Sequence, residues 1–213
     1  MSKVLSRNYS GASNTSISTA NMAPKYEIPQ EHKGELEHVK GPIDPRTDDE
    51  IIASLTRFQP VTEGSEKNIW GFWHAGVEAM RGWQKRNVAD WVRMHSAQGW
   101  TVRILNTKEG SPNHVLKFLP DKLFPEAFLT GTMDGPYVGQ HSADLYKTAV
   151  LYTYGGVYVD VGVILIRHLD RMLWDKLSDP KSPYNISVCS IMPTVTINHF
   201  IASRKGDPLI KNW

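Results

Sequence analysis

Asp144 and Lys147 stand three residues apart, and Asp160 follows them in YTYGGVYVDVGVILI (152–166), behind the glycine pair Gly155 and Gly156. Carboxylates and an ammonium group are what a protein needs to handle phosphates, sugar hydroxyls and divalent cations. A spacing of three on a helix puts Asp144 and Lys147 on one face; taken alone, that is an exposed ion pair worth about 0.2–0.5 kcal/mol. One glycine is a routine helix C-terminus. A second lets the backbone turn straight into a strand, or lets a ligand approach closely. On a strand, Tyr158, Asp160 and Gly162 share one face, and Val157, Val159, Val161 and Val163 share the other. The valine face reads as core, which puts Asp160 on the opposite face in the strand's later half. Ligands of α/β sheets bind beyond the carboxyl ends of strands. A carboxylate there is a hard oxygen ligand suited to Mg²⁺ or Mn²⁺ bridging a diphosphate. For Asp160 by itself two readings stay open: that ligand, or a solvated carboxylate on a strand.

The elements that must position these residues follow from pattern. KNIWGFW (67–73) and WTVRILN (100–106) read as strands. Between them Met80, Trp83, Val88, Trp91, Val92 and Met94 recur at roughly helical spacing, and Gly99 suits the position after a helix end. Strand, helix and strand make a βαβ unit with parallel strands. SADLYKTAVLYTY (142–154) is predicted as a helix with Ser142 as N-cap, and GGVYVDVGVILI (155–166) as the next strand. LDRMLWDKL and DPLIKNW read as short helices, NISVCSIM as a strand, and TDDEIIASLTRF as a helix opened by a Thr47–Glu50 capping box. The alternation predicts an α/β fold, a mixed sheet flanked by helices.

Residues 1–25 are rich in Ser, Asn and Thr, lack acidic residues and are expected to be disordered. Residues 26–66 read as an extended arm with a short helix, and residues 67–213 as the main domain, ending inside a helix and C-terminally short. A net charge of +2 is too mild to argue for nucleic acid, and the basic, aromatic run 81–95 is more simply the solvated face of an amphipathic helix. No long apolar run predicts a transmembrane helix, and no apolar leader predicts secretion, so a cytoplasmic location is expected. Cys189 is the only cysteine, which excludes an internal disulfide framework.

Taken together, His141, Asp144, Lys147, Gly155, Gly156, Tyr158 and Asp160 fit the pattern H-x-x-D-x-x-[K/R]-x(7)-GG-x-[YW]-x-D, with IWGFWHAG upstream. This resembles glycosyltransferases of the GT-A fold with a DXD motif, closest to the fungal-type capsular polysaccharide synthesis and family 32 group. The resemblance covers Lys67 to Leu169 well. It implies transfer of a hexose from a UDP- or GDP-sugar to a glycan or other hydroxyl acceptor, with Mn²⁺ or Mg²⁺. It places Ile69 and Trp70 near the nucleotide base and Trp73 stacked on it, with Lys147 neutralising phosphate as a point charge and Gly155, Gly156 and Tyr158 also lining the donor. Asp144 would accept from sugar or ribose hydroxyls, and Asp160 would be the metal ligand and first aspartate of the motif. Asn198 and His199 are candidates for the acceptor or metal side. Three positions depart from the pattern: Lys147 replaces arginine, Ala143 replaces serine, and Gly162 replaces the second aspartate. Gly162 and the short C-terminus give the alternative reading its ground: a truncated or degenerate domain of the same fold that binds or scaffolds without catalysis.

Overall fold

The computed structural model describes residues 27–34, 44–192 and 194–213. The expected disorder of residues 1–25 lies outside them. The chain divides into two compact units, Met1–Lys40 and Gly41–Trp213. In the first, a single 3₁₀ turn, Gln30–His32, is described.

The second unit is built on a five-stranded mixed sheet in the order β2-β1-β3-β5-β4. β1 (Asn68–Phe72) pairs in parallel with β2 (Thr101–Leu105) and with β3 (Gly156–Val159). β5 (Val195–Ser203) runs antiparallel to β3 and to the edge strand β4 (Ile186–Met192). The predicted βαβ unit is present: α2 (Gly82–His95) links β1 to β2.

Both faces of the sheet are covered. On one side α1 (Asp48–Leu55) and α2 pack on Ile69, Val102, Ile104, Val157 and Val159. Ile51, Ile52 and Leu55 of α1 belong to this core, so the helix expected within an arm is part of the main unit. Its capping box forms as the sequence suggests: the Thr47 hydroxyl accepts from the Glu50 N–H at 3.2 Å, and the Glu50 carboxylate from the Thr47 N–H at 2.8 Å. A π-helical turn, Asp170–Trp174, leads into α5 (Asp175–Ser178) and adds Trp174 and Leu177 to the same core. On the other side α4 (Val138–Tyr154) places Tyr146, Val150 and Leu151 against Trp70, Phe72, Tyr158 and Ile201. Phe128 of α3 (Glu126–Leu129) and Ile210 of α6 (Pro208–Asn212) complete that core.

Two expectations change. α4 begins four residues before Ser142, so Ser142 is not its cap; it is a buried residue of the first turns. Nor is the Tyr158 face of β3 an open one. Gly156, Val157, Tyr158 and Val159 are all buried, because a strand with helices on both sides has no solvent face.

Candidate active site

β3 stops at Val159, so Asp160 stands just past its carboxyl end, half-buried. The strand expected to run on to Ile166 instead turns. The Asp160 N–H still donates to the His199 carbonyl at 2.8 Å, while its own carbonyl accepts from the Val163 N–H at 2.8 Å and closes a turn over 160–163. The side chain is aimed from below: the Tyr158 hydroxyl donates to Asp160 Oδ1 at 2.8 Å. Burial pushes the Tyr158 phenol well above its usual range, and the neighbouring Asp160 charge adds to the effect. Tyr158 is therefore a permanent donor at neutral pH. Asp160 Oδ2 has no protein partner among the described residues.

α4 brings the second carboxylate. Lys147 Nζ lies 2.7 Å from Asp144 Oδ1 and 3.2 Å from the Asn198 carbonyl, and 4.9 Å above the Tyr158 ring centre. The Asn198 amide donates to the same Asp144 oxygen at 3.1 Å. The Lys147 side chain is 5% exposed and that of Asp144 is 50% exposed. This corrects the expected role of Lys147. Its ammonium is covered and its partners surround it, so it holds Asp144 and β5 in place rather than meeting a phosphate. The pair is more than the exposed surface ion pair its spacing alone suggests, because one partner is buried and both are tied to a second element. Asp144, Lys147, Tyr158, Asp160 and Asn198 thus form one connected group, which His199 joins through its carbonyl while its side chain is exposed.

The remaining nominated residues divide by which end of the sheet they occupy. Trp73 follows β1 at the same carboxyl end as Asp160 and is partly buried against the first core. Ile69 and Trp70 have no exposed area, so neither side chain can touch a base. Trp70 is anchored in the second core by donating from Nε1 to the Gly155 carbonyl at 2.9 Å. Gly155 and Gly156 stand at the amino end of β3, the far end from Asp160. A Cβ on Gly156 would lie 2.4 Å from the Asn68 carbonyl oxygen, and one on Gly155 2.4 Å from a Glu66 carboxylate oxygen. Both glycines have positive φ, +67° and +108°. They are there for a tight turn and close strand pairing, not for a ligand.

Other residues shape the site without having been singled out. Asn87 Nδ2 donates to the Val161 carbonyl and Trp91 Nε1 to the Val163 carbonyl, both at 3.1 Å, so α2 fixes the turn that follows Asp160. The helical spacing marked Trp91 as core, but no pattern marks where an indole N–H will point. At the same end of the sheet a cavity of about 480 Å³ lies between the residues after β1 and β2 (His74, Thr107), α3 (Phe128) and the first turns of α4 (Val138, Ser142).

Residues 82–179, from α2 through α5, match the family described as "glycosyltransferase sugar-binding region containing DXD motif". Among curated relatives, "Probable glycosyltransferase FCK3" of Fusarium pseudograminearum is 52% identical over 88% of this chain and 47% of its own length. "Glycosyltransferase afumC" of Aspergillus fumigatus is 44% identical over 78% of this chain and 44% of its own, and "O-glycosyltransferase braB" of Annulohypoxylon truncatum is 44% identical over 80% and 41%. The chain spans about half the length of the curated relatives it matches. A solved structure titled "PaToxG Glycosyltransferase" is similar at 20% identity and a TM-score of 0.44, over 77% of this chain and 63% of that one. These names speak of glycosyltransferases, not of capsule synthesis.

The stretch expected to carry the D-x-D motif reads Asp160, Val161, Gly162. Among the described residues no group of three His, Cys, Asp or Glu side chains is placed to hold a metal ion. What the chain offers a cation is the free oxygen of Asp160. That fits the mode in which Mg²⁺-like ions are held by one or two carboxylates together with substrate phosphates. It does not fit a site made by protein alone. No helix among the described residues is long and apolar enough to cross a membrane.

Proposed function

We propose that this chain carries the donor site of a glycosyltransferase moving a hexosyl group from a nucleoside diphosphate sugar, UDP- or GDP-linked, to a hydroxyl acceptor. The observation that supports this best is the connected group at the carboxyl end of β3: Asp160 aimed by the buried Tyr158, beside Asp144 held by the buried Lys147 and Asn198. The family description and the relatives' names agree with it.

In this reading the bond from the sugar C1 to the diphosphate oxygen breaks and one from C1 to the acceptor oxygen forms. The electron pair leaves with the diphosphate, and the acceptor gives up its hydroxyl proton. Asp144 and Asp160 both present an oxygen without a protein partner, and each accepts from hydroxyls of the bound donor. Tyr158 and Lys147 keep those carboxylates fixed, so the geometry is set before substrate arrives. Asp160 would hold a divalent cation, Mn²⁺ or Mg²⁺, which would supply neutralisation of the leaving group's charge. Trp73 offers a base a stacking face, and the adjoining cavity offers room for the nucleoside. A second reading, a site that binds donor without turnover, is favoured by one residue: Gly162 where a second carboxylate would stand.

The test is a thermal-shift screen with UDP, GDP and their common sugars, each with and without Mn²⁺, followed by a donor-hydrolysis assay on any hit. A shift that needs nucleotide and Mn²⁺ together, with sugar release, is the expected result. A shift without sugar release selects the binding-only reading. A cooperatively melting chain that no nucleotide shifts overturns both.

A further inference from the structure

Trp83 is a large aromatic residue left 45% exposed in the first turn of α2. Its place is defined by Gly162. A Cβ built on Gly162 meets only the Trp83 ring within 4 Å among the described residues, Cη2 at 3.7 Å and Cζ3 at 3.8 Å. Gly162 is itself exposed and lies in the turn that Asp160 opens. The indole edge therefore lies against the turn that Asp160 opens.

The helix that carries the ring is held to the turn. The Gln84 side-chain Oε1 accepts from the Arg81 N–H at 2.9 Å and fixes the first turn of α2. One turn on, Asn87 holds the Val161 carbonyl, and Trp91 holds that of Val163. An aromatic side chain carried on an anchored helix turn and open to solvent offers a flat apolar partner a surface whose backbone is already ordered. The chemistry near it is equally specific: Asp160, two residues before Gly162, is half-buried and has one carboxylate oxygen without a partner among the described residues. A ligand with an apolar C–H face and a rim of hydroxyls matches both, and a pyranose ring is that ligand. A nucleobase fits less well here, because Trp73 and the cavity bounded by His74 and Thr107 stand across the sheet at β1 and β2.

We infer that Trp83 is a pyranose-stacking residue of this site, and that the glycine at 162 keeps its face open. The inference rests on the glycosyl-transfer reading for the identity of the ligand, but its test does not. The pyranose belongs either to the donor or to a saccharide acceptor.

The experiment follows the tryptophan indole N–H signals by NMR in the full chain. There are seven tryptophans, and the Trp83 signal is the one missing from Trp83→Phe. The probes are UDP, GDP, UDP-glucose, GDP-mannose and the methyl glycosides of glucose and mannose, with the diamagnetic Mg²⁺ present. The Trp83 signal is expected to move with a sugar nucleotide and not with its parent diphosphate if the donor sugar stacks, or with a methyl glycoside if an acceptor sugar does. Trp83→Ala is then expected to weaken binding of the responding sugar roughly threefold to tenfold, the range of one aromatic contact, with Trp83→Phe between the two. Affinity for the nucleoside diphosphate should not change. If nucleotides bind but no pyranose moves Trp83, or if Trp83→Ala weakens diphosphate and sugar nucleotide alike, the stacking role is overturned and the donor site stands. If a methyl glycoside moves Trp83 while no nucleotide binds, the stacking role stands and the nucleotide reading fails. If nothing moves any signal, both fall.

Discussion

At the scale of single residues, Asp160 is doing two jobs that substitutions can separate. Its charge faces the site, while its Oδ1 satisfies a phenol that is otherwise buried. Asp160→Asn keeps an acceptor for Tyr158 and removes the charge. It is expected to abolish sugar transfer while the melting temperature stays near that of the parent. Asp160→Ala removes the acceptor too. Stranding a buried donor costs about 1–3 kcal/mol, so this variant should be measurably less stable in urea as well as inactive. Equal stability of the two variants would mean that Tyr158 finds another partner. Gly162 asks the opposite question. Its backbone is outside the left-handed region, and a Cβ there makes ordinary contact with Trp83, so Gly162→Asp is sterically allowed. It sets a second carboxylate in the turn after Asp160, and nucleotide binding should become more dependent on Mn²⁺. The readout is the thermal shift given by UDP or GDP as Mn²⁺ is titrated. A curve identical to the parent's would show that position 162 does not face the diphosphate.

At the scale of elements, the glycine pair and the aspartate sit at opposite ends of β3, and that separates packing from chemistry. Gly156 combines φ of +108° with an approach to the Asn68 carbonyl that leaves no room for a methyl group. Gly156→Ala must both adopt a disfavoured backbone and push β3 from β1, where Val157 pairs with Ile69. A loss of more than about 3 kcal/mol is expected, because strain and overpacking add. Urea denaturation reads it, and any activity lost should track unfolding rather than ligand affinity. A stable Gly156→Ala with weakened nucleotide binding would return that glycine to the ligand site. The same element shows what the sequence could and could not say. The hydrophobic pattern foretells β1, α2, β2 and β3 because each is long enough for its period to show. It places Asp144 and Lys147 on one face of α4, which is where they are. It does not show that Tyr158 is buried, because alternation of valines with Tyr and Asp looks like a one-sided strand. The covering of the second face by Tyr146 and Leu151 is a tertiary fact. Nor does it show that the strand ends at Val159, since Val161 and Val163 continue the pattern after the chain has turned. The Asn198 contact with Asp144 joins residues far apart in sequence and has no local signal at all.

At the scale of the whole molecule, two cores on either side of one sheet must both be intact for the carboxyl end of β3 to hold its shape, and one titratable group ties the first core to the chain beyond the site. His95, at the end of α2, is buried; its Nδ1 lies 3.0 Å from the Trp91 carbonyl, and its Nε2 accepts from the Leu169 N–H at 3.3 Å. An acceptor at Nε2 requires the neutral ring with the proton on Nδ1. Burial lowers the His95 pKa, and His168, whose ring centre is 5.8 Å away, lowers it further; the Trp91 carbonyl and Asp170 act the other way. A group whose folded pKa lies below its unfolded value, about 6.5 for histidine, contributes stability that is complete above that pH and is lost as pH falls through the folded pKa. The carboxylates do not mimic this. Asp44, for example, is held at about 2 by the Arg46 guanidinium, so its contribution is lost only in much stronger acid. The urea midpoint is therefore expected to fall between pH 7.5 and 5.5. Leu169 follows the turn that carries Gly162, so loss of the His95 bond should loosen the site in the same interval, and nucleotide affinity should decline with the midpoint. His95→Gln retains a donor for Trp91 and an acceptor for Leu169 without a titrating proton. It should begin less stable, because packing is lost, and then show a flatter dependence over that range. Parallel profiles for the two proteins would shift the acid sensitivity to His114, whose pKa is also lowered by burial, and would free the chain beyond the site from control by α2.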